Sequence, residues 1–289
     1  MSPPGRPIFA RVAIAGCGLI GGSLALAIRR QWPASEVVGI DRREVIQQAT
    51  HLGAITQGGA DLALAAGADL IVLAAPVRQN IDMILRLADV VPGSTLVSDV
   101  GSTKVTTAEA AAGLPGRLRF IGGHPLAGAA AGGIDTARAN LFDGRTWLVA
   151  ADAGRDDDDL RRLEAFVGGI GATPRRIAAV EHDRLLADVS HLPQLTASAL
   201  MHVVGQRVGE AGLALAGRGL RDSTRLAASP PEIWRDVAAT NDAAVGAALD
   251  DLIAILQSIR NDLGNGTALQ QVFDSARRWK HLLDSQQPD

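Results

Sequence analysis

The segment from Arg11 to Ser23, Arg-Val-Ala-Ile-Ala-Gly-Cys-Gly-Leu-Ile-Gly-Gly-Ser, constrains the fold of this chain more than any other. Its apolar start predicts a buried strand through Ala15, and the apolar residues from Leu19 to Ile28 predict a helix, with a glycine turn between them. Gly16, Gly18 and Gly21 have the G-x-G-x-x-G spacing that lets a backbone approach a pyrophosphate at a helix N-terminus. In a chain with 32 glycines that spacing alone decides nothing. A second predicted strand, Glu36 to Ile40, ends in Asp41, 20 residues after Gly21, where the adenosine ribose of a dinucleotide needs a hydroxyl acceptor. The segment therefore reads as a dinucleotide site, the alternative being a glycine-rich packing turn. Arg42 and Arg43 follow, but a carboxylate at 41 repels a ribose 2′-phosphate, so NAD is expected over NADP.

Further short apolar strands follow at regular intervals: His51–Ile55, Asp69–Pro76, Leu96–Val100, Arg119–Pro125, Thr146–Ala150 and Thr173–Ile177, the last a candidate member of the same sheet. Alternation of such strands with helical segments predicts a doubly wound, Rossmann-type α/β domain with a mainly parallel sheet. Four consecutive aspartates, Asp156 to Asp159, open a helix through about Phe166, where acids favour the positive end of the helix dipole. From Ala179 onward strand signals stop. Val180–Gly209, Pro231–Gln257 and Ala268–Leu283 carry apolar residues at three- and four-residue spacing and read as helices. The expected division is a dinucleotide domain over 1–178 and an all-helical domain over 179–289.

A hydrophobic fraction of 47% and a net charge of −3 argue against nucleic acid or a membrane surface as a partner. The apolar stretch from Ile8 to Ile28 is interrupted by Arg11, and the glycine spacing explains it better than a signal peptide. One cysteine, Cys17, forms no intrachain disulfide and fits a reducing compartment, so the cytoplasm is expected. Lodged between two glycines, Cys17 reads as a small filler.

Ligands of open α/β sheets bind beyond the carboxyl ends of the strands. There this chain places the glycine turn, Ala75-Pro76, Asp99 with Ser102, and His124 between Gly123 and Pro125. Cofactor contacts are expected from Gly16, Gly18, Leu19, Ile20, Gly21, Asp41, Arg42, Ala75, Pro76 and Asp99. A neutral imidazole at His124 can take a hydroxyl proton while hydride leaves the same carbon, and Ser102 can hydrogen-bond that hydroxyl. In the helical half Pro193 predicts a kink beside His191, which makes that histidine either a pocket wall or a surface residue at a bend. Arg221 and Arg225 flank Asp222, so one can pair with the acid and the other face a substrate carboxylate; a purely structural cluster is the alternative. No metal is expected, since His191 and His202 would sit about 16 Å apart along one helix. Lys104 and Lys280 are the only lysines, which leaves the helical half no lysine acid of the 3-hydroxyacid dehydrogenase kind.

Together these motifs resemble the prephenate/arogenate dehydrogenase family of tyrosine biosynthesis. The resemblance is carried in order by Gly16–Ser23, Asp69–Pro76, Asp99–Lys104, Gly123–Gly128, Ser190–Pro193, Arg221–Ala227 and Trp234–Asp236. It implies a homodimer that oxidatively decarboxylates prephenate or arogenate with NAD. It further implies His124 as the base, Ser102 as its helper, and His191 and Arg225 at the substrate's carboxylate, with Asp222 setting the arginine. The helical half runs to the end of the sequence, so feedback by the aromatic product is expected to act at the active site. Two departures stand out: Ala129-Ala130-Ala131-Gly132 where the family commonly has threonine, glutamate, lysine and serine, and Gln194 where histidine is frequent. Alternatives within reach are a 4-amino-4-deoxyprephenate-type dehydrogenase, a 3-hydroxyacid or imine reductase on the same plan, and a non-catalytic dinucleotide sensor.

Overall fold

A computed structural model describes residues 6–128, 131–152 and 154–286. It divides into two compact units, 1–242 and 243–289.

The first unit opens with β1 (Arg11–Ala15), α1 (Leu19–Gln31), β2 (Glu36–Ile40), α2 (Arg43–His51), β3 (Gln57–Gly59) and β4 (Leu70–Leu73). It continues with α3 (Val77–Val90), β5 (Thr95–Asp99), α4 (Val105–Ala111) and β6 (Leu118–Phe120). These six strands form one parallel sheet in the order β3-β2-β1-β4-β5-β6. Successive side chains of a strand point to opposite faces, and β1 shows this directly. Val12 and Ile14 join an apolar cluster with α1, whereas Ala13 and Ala15 join a second cluster with α3. Strands buried on both faces explain why the sequence shows near-continuous apolar runs and no polar alternation. The chain order reverses between β1 and β4, so a crevice opens at their carboxyl ends.

Two differences from expectation have physical causes. Residues 51–55 do not form the third strand: α2 runs through His51, Gly53 turns the chain at φ +68°, and β3 lies at 57–59. Ala54 and Ile55 are apolar because they enter the core between those elements. The predicted strand 119–125 is also broken at Ile121. Its second part, β7 (Gly122–Pro125), leaves the parallel sheet and pairs antiparallel with β8 (Thr146–Ala150). β8 in turn pairs in parallel with β9 (Thr173–Ile177), giving a separate three-stranded sheet, so Thr173–Ile177 does not extend the first one. Between them α5 (Asp158–Gly169) starts at Asp157, whose carboxylate accepts the amide of Leu160.

Next come α6 (Ala179–Leu186), a π-helical turn (Ala187–His191) and α7 (Leu192–Leu213). Pro193 has no N–H for the preceding turn and its ring crowds the carbonyl four residues back. It therefore sits in the first turn of α7 behind a widened turn, and the predicted single helix divides there. α8 (Arg218–Ser223), a 3-10 turn (Arg225–Ala228) and α9 (Pro231–Thr240) complete the unit. The predicted helix 231–257 is divided at Asn241, and α10 (Asp242–Asn261) begins after it. The second unit comprises most of α10 together with α11 (Thr267–Ser285). Among the described residues no helix is long and apolar enough to cross a membrane.

The glycine turn is set by packing as much as by any ligand. A Cβ on Gly21 would lie 1.8 Å from the carbonyl oxygen of Gly16, and Gly16 itself has φ +97° against the backbone of Ala74. Gly21→Ala is expected to destabilise the fold by about 2–4 kcal/mol, read as a lower midpoint in thermal or chemical denaturation. An unchanged midpoint would contradict this packing.

Candidate active site

A cavity of about 490 Å³ opens at the carboxyl ends of β1, β4 and β5. Gly18, Leu19 and Ile20 line it from the first turn, Ala74 to Val77 from the second, and Val100 to Ser102 from the third. Asn80 shapes the second turn: buried, it donates to Leu73 O at 3.2 Å and accepts the Ala75 amide at 3.1 Å. His124, Pro125, Ala127 and Gly128 follow β7, and Pro230, Ile233 and Asp236 come from α9 and the residue before it.

One side of this crevice fits a dinucleotide. Gly18 caps α1 with no side-chain hydrogen bond to the first-turn amides, and the space beside its Cα is open. Those amides and the positive helix end therefore stand ready for a diphosphate. At the end of β2, Asp41 accepts the amide of Cys17 at 2.7 Å and that of Arg42 at 2.7 Å, which fixes its carboxylate where it could accept a ribose hydroxyl. Arg42 lies 3.9 Å from it with its side chain 83% exposed. Cys17 itself is buried, and burial together with Asp41 pushes its thiol up to about 12. These residues fit NAD.

On the other side stands His124, half-buried, at the head of a chain of polar groups that runs inward through buried His182 and Asp183. Its Nδ1 is 2.9 Å from Nε2 of His182, and Nδ1 of His182 is 2.7 Å from Oδ1 of Asp183. Asp183 also accepts the backbone amides of Lys104 at 2.7 Å and Val105 at 2.9 Å, at the start of α4. A carboxylate only accepts, so Nδ1 of His182 donates and its Nε2 accepts from Nδ1–H of His124. That leaves Nε2 of His124 as a free lone pair. Burial first, then His182, Lys104 and His191, hold His124 well below 6.5, so it is a neutral acceptor at physiological pH. β7 itself is anchored by Asp99, whose Oδ1 accepts the Gly123 amide at 3.1 Å while its Oδ2 pairs with the buried ammonium of Lys104.

The structure thus brings Gly18, Leu19, Ile20, Ala75, Pro76, Ser102 and His124 onto one cavity. Gly16 and Gly21 shape its turn. Asp99 is fully buried behind it, anchoring β7. His191 is also buried: its Nδ1 faces Nδ2 of Asn241 at 3.4 Å and its ring lies edge-on to Trp234. Burial lowers it to about 4, so it offers a hydrogen bond and no charge. Arg225 and Asp222 are exposed, and among the described residues they form no ion pair with each other. The turn that bears Arg225 is set by Gln194, which donates to Leu226 O at 2.8 Å and accepts from Ser229 at 3.1 Å. Ala129 and Ala130 lie outside the described residues, while Gly132 and Gly133 join the cavity wall. No group of three or more His, Cys, Asp or Glu suited to a metal ion occurs among the described residues.

Residues 24–175 match the family model described as prephenate dehydrogenase, nucleotide-binding domain, and residues 178–273 match that described as prephenate dehydrogenase, dimerization domain. The chain belongs to the prephenate dehydrogenase family. It is 31% identical over 284 residues to prephenate dehydrogenase of Bacillus subtilis, covering 96% of this chain and 76% of the relative. It is 29% identical over 286 residues to cyclohexadienyl dehydrogenase of Zymomonas mobilis, covering 96% and 97%. The crystal structure of prephenate dehydrogenase from A. aeolicus in complex with hydroxyphenyl propionate and NAD+ superposes with a TM-score of 0.86 at 26% identity, covering 94% of this chain and 98% of that one.

In this member of the prephenate dehydrogenase family, four contributors to the site were not legible in the sequence. His182 and Asp183 are adjacent on α6, and neighbours in a helix share no face, so periodicity gave no reason to pair them with His124. Lys104 and Asn80 are polar residues at strand-to-helix turns whose burial only the fold reveals. Lys104→Met is expected to leave Asp99 buried without its cation and to cost about 3–5 kcal/mol, measured by denaturant titration. A loss below about 1 kcal/mol would show that the pair is dispensable.

Proposed function

We propose that this chain oxidatively decarboxylates prephenate or arogenate with NAD, as a homodimer. The observation that supports it most is the neutral His124 at the wall of a cavity that also holds a dinucleotide turn. Family membership supports the substrate class, and the relatives named above act, by their names, on prephenate or on cyclohexadienyl substrates. Bound NAD supplies a hydride acceptor at the nicotinamide. Gly18 and the first amides of α1 would hold its diphosphate and Asp41 its ribose, and the carboxylate at 41 favours NAD over NADP.

The substrate is a cyclohexadiene with a 4-hydroxyl and a ring carboxylate. His124 takes the hydroxyl proton at Nε2 as hydride leaves the same carbon, and Ser102, on the same cavity, orients the hydroxyl. Loss of CO₂ from the ring then makes the product aromatic, which drives the reaction. His191 and Arg225 are assigned to the carboxylate end. His191 would act there as a hydrogen-bond donor, since burial keeps it uncharged, and Arg225 would supply the charge. The proposed functional division lies near residue 178, a reading supported by the end of the strands at Ile177 and by the two family-model matches, which end at 175 and begin at 178.

Dimerisation is supported by the match to a dimerization-domain model and by apolar side chains left on the surface of the second unit, with Phe273 61% and Trp279 69% exposed. A cytoplasmic location is proposed from the single buried cysteine.

Purified protein assayed with prephenate and with arogenate, each with NAD⁺ and with NADP⁺, is expected to reduce NAD⁺ with at least one substrate; silence in all four assays would sink the reading. His124→Asn is expected to lower turnover on the order of 10²–10⁴-fold, the range of a general base, whereas a loss under about threefold would remove that role. Because His124 is held below 6.5, its base form persists as pH falls, and kcat/KM should stay level down to 6.5 and decline only below it. An acid limb centred at or above 6.5 would contradict the neutral-base assignment.

A further inference from the structure

We propose that the proton taken by His124 does not stay there but passes to His182, with Asp183 as the counter-charge. His182 is thus a positioning residue and transient proton store for the reaction. This rests on the dehydrogenase reading above and adds a destination for the proton.

The three groups form an unbroken line: Nδ1 of His124 to Nε2 of His182 at 2.9 Å, then Nδ1 of His182 to Oδ1 of Asp183 at 2.7 Å. Both His182 and Asp183 are buried. Asp183 is fixed by two backbone amides from the start of α4, so its carboxylate does not turn away. Charged and titratable groups from the neighbouring elements bear on the outcome, Asp236 of α9 on the same cavity among them. Lys104 precedes α4, Asp99 ends β5, His124 lies on β7, Asp183 shares α6, and His191 lies in the π-helical turn. Lys104 is neutralised by Asp99 within its own pair. A positive charge on His124, at the cavity wall, would face two other imidazoles and the Lys104 ammonium. The same charge one imidazole further on lies directly against the Asp183 carboxylate. Coulomb attraction at that range in a buried site favours the second position.

The balance is simple. The substrate O–H bond breaks and its proton forms a bond to Nε2 of His124. The Nδ1–H proton of His124 moves to Nε2 of His182, and hydride leaves the substrate carbon. His124 ends neutral in its other tautomer, and His182 carries two protons beside Asp183. When CO₂ departs, electrons flow to the ring oxygen, which takes the proton back from His124 as the shift reverses. No net proton is released, so the relay lends a proton and needs no exit to solvent.

His182→Gln is the variant that separates holding from carrying. Its carbonyl oxygen can accept from Nδ1–H of His124, and so keep the tautomer, but it cannot take the proton. The expected result is a fall in kcat on the order of 10–100-fold with KM within about threefold. The solvent proton inventory should change from two transferred protons to one, and NADH binding measured by fluorescence should be unchanged. Turnover within about threefold of wild type with a two-proton inventory would overturn the relay. So would loss of NADH binding in step with activity, since that marks a merely structural role. If the wild type proves inactive on prephenate and arogenate, the functional reading fails. The line of groups is then tested alone by ¹⁵N NMR, where His124 should be protonated at Nδ1 in the wild type; protonation at Nε2 would overturn it.

Discussion

The Asp99 carboxylate is the point on which the catalytic side of this structure hangs. It ends β5, accepts the amide of Gly101 at 3.0 Å, pairs with Lys104 and accepts the amide of Gly123 from β7. The loop that follows β5 and the strand β7 are therefore both referred to one buried side chain. A buried ion pair contributes little net stability when replaced by apolar groups of the same shape, but losing one partner is expensive. The value of this one is positional. It draws Gly122-Gly123 against the end of β5, where a Cβ on Gly123 would come within 2.7 Å of the Asp99 carbonyl oxygen. That close approach turns β7 out of the parallel sheet and delivers His124 to the cavity.

The same short loop after β5 serves two ends. Lys104 reaches back to Asp99 with its side chain and forward to Asp183 with its backbone amide. The first contact places the strand that bears His124, the proposed base; the second places the acid behind His182. Thr103 adds a hydroxyl contact to Thr240 at 2.8 Å, tying the loop to α9. A run of four residues, Gly101 to Lys104, thus carries a cavity-lining serine, an anchoring cation and a contact to the helices beyond the sheets.

Much of the cofactor half was legible before any coordinates. Continuous apolar strands, the glycine turn and the acid after β2 follow from steric and electrostatic rules that act over a few residues. The fold has the strands and the turn where those rules put them, while the ligand roles of the three glycines and Asp41 belong to the proposed function. The substrate half was less legible because its contacts are non-local. His182 is 58 positions from His124, and nothing in a helical pattern names that partner. Asp99 looked like a ligand group at a strand end, yet burial and the Lys104 cation make it an anchor. Gln194 looked like a departure from family habit, yet it holds the Arg225 turn. The break at Ile121 and the short β3 were hidden because apolar residues entering a core between elements look the same in sequence as residues within a strand.

Cys17 closes the account of the glycine turn. It lies inside the cofactor crevice's first turn, but its thiol is buried and kept protonated, with its ordinary value pushed up to about 12. Thiolate is the reactive form, so the single sulfhydryl of this chain is inert to alkylating reagents while the fold is intact. A cysteine introduced at any exposed position would consequently be the sole point of attachment for a spectroscopic label, with no background from the native chain.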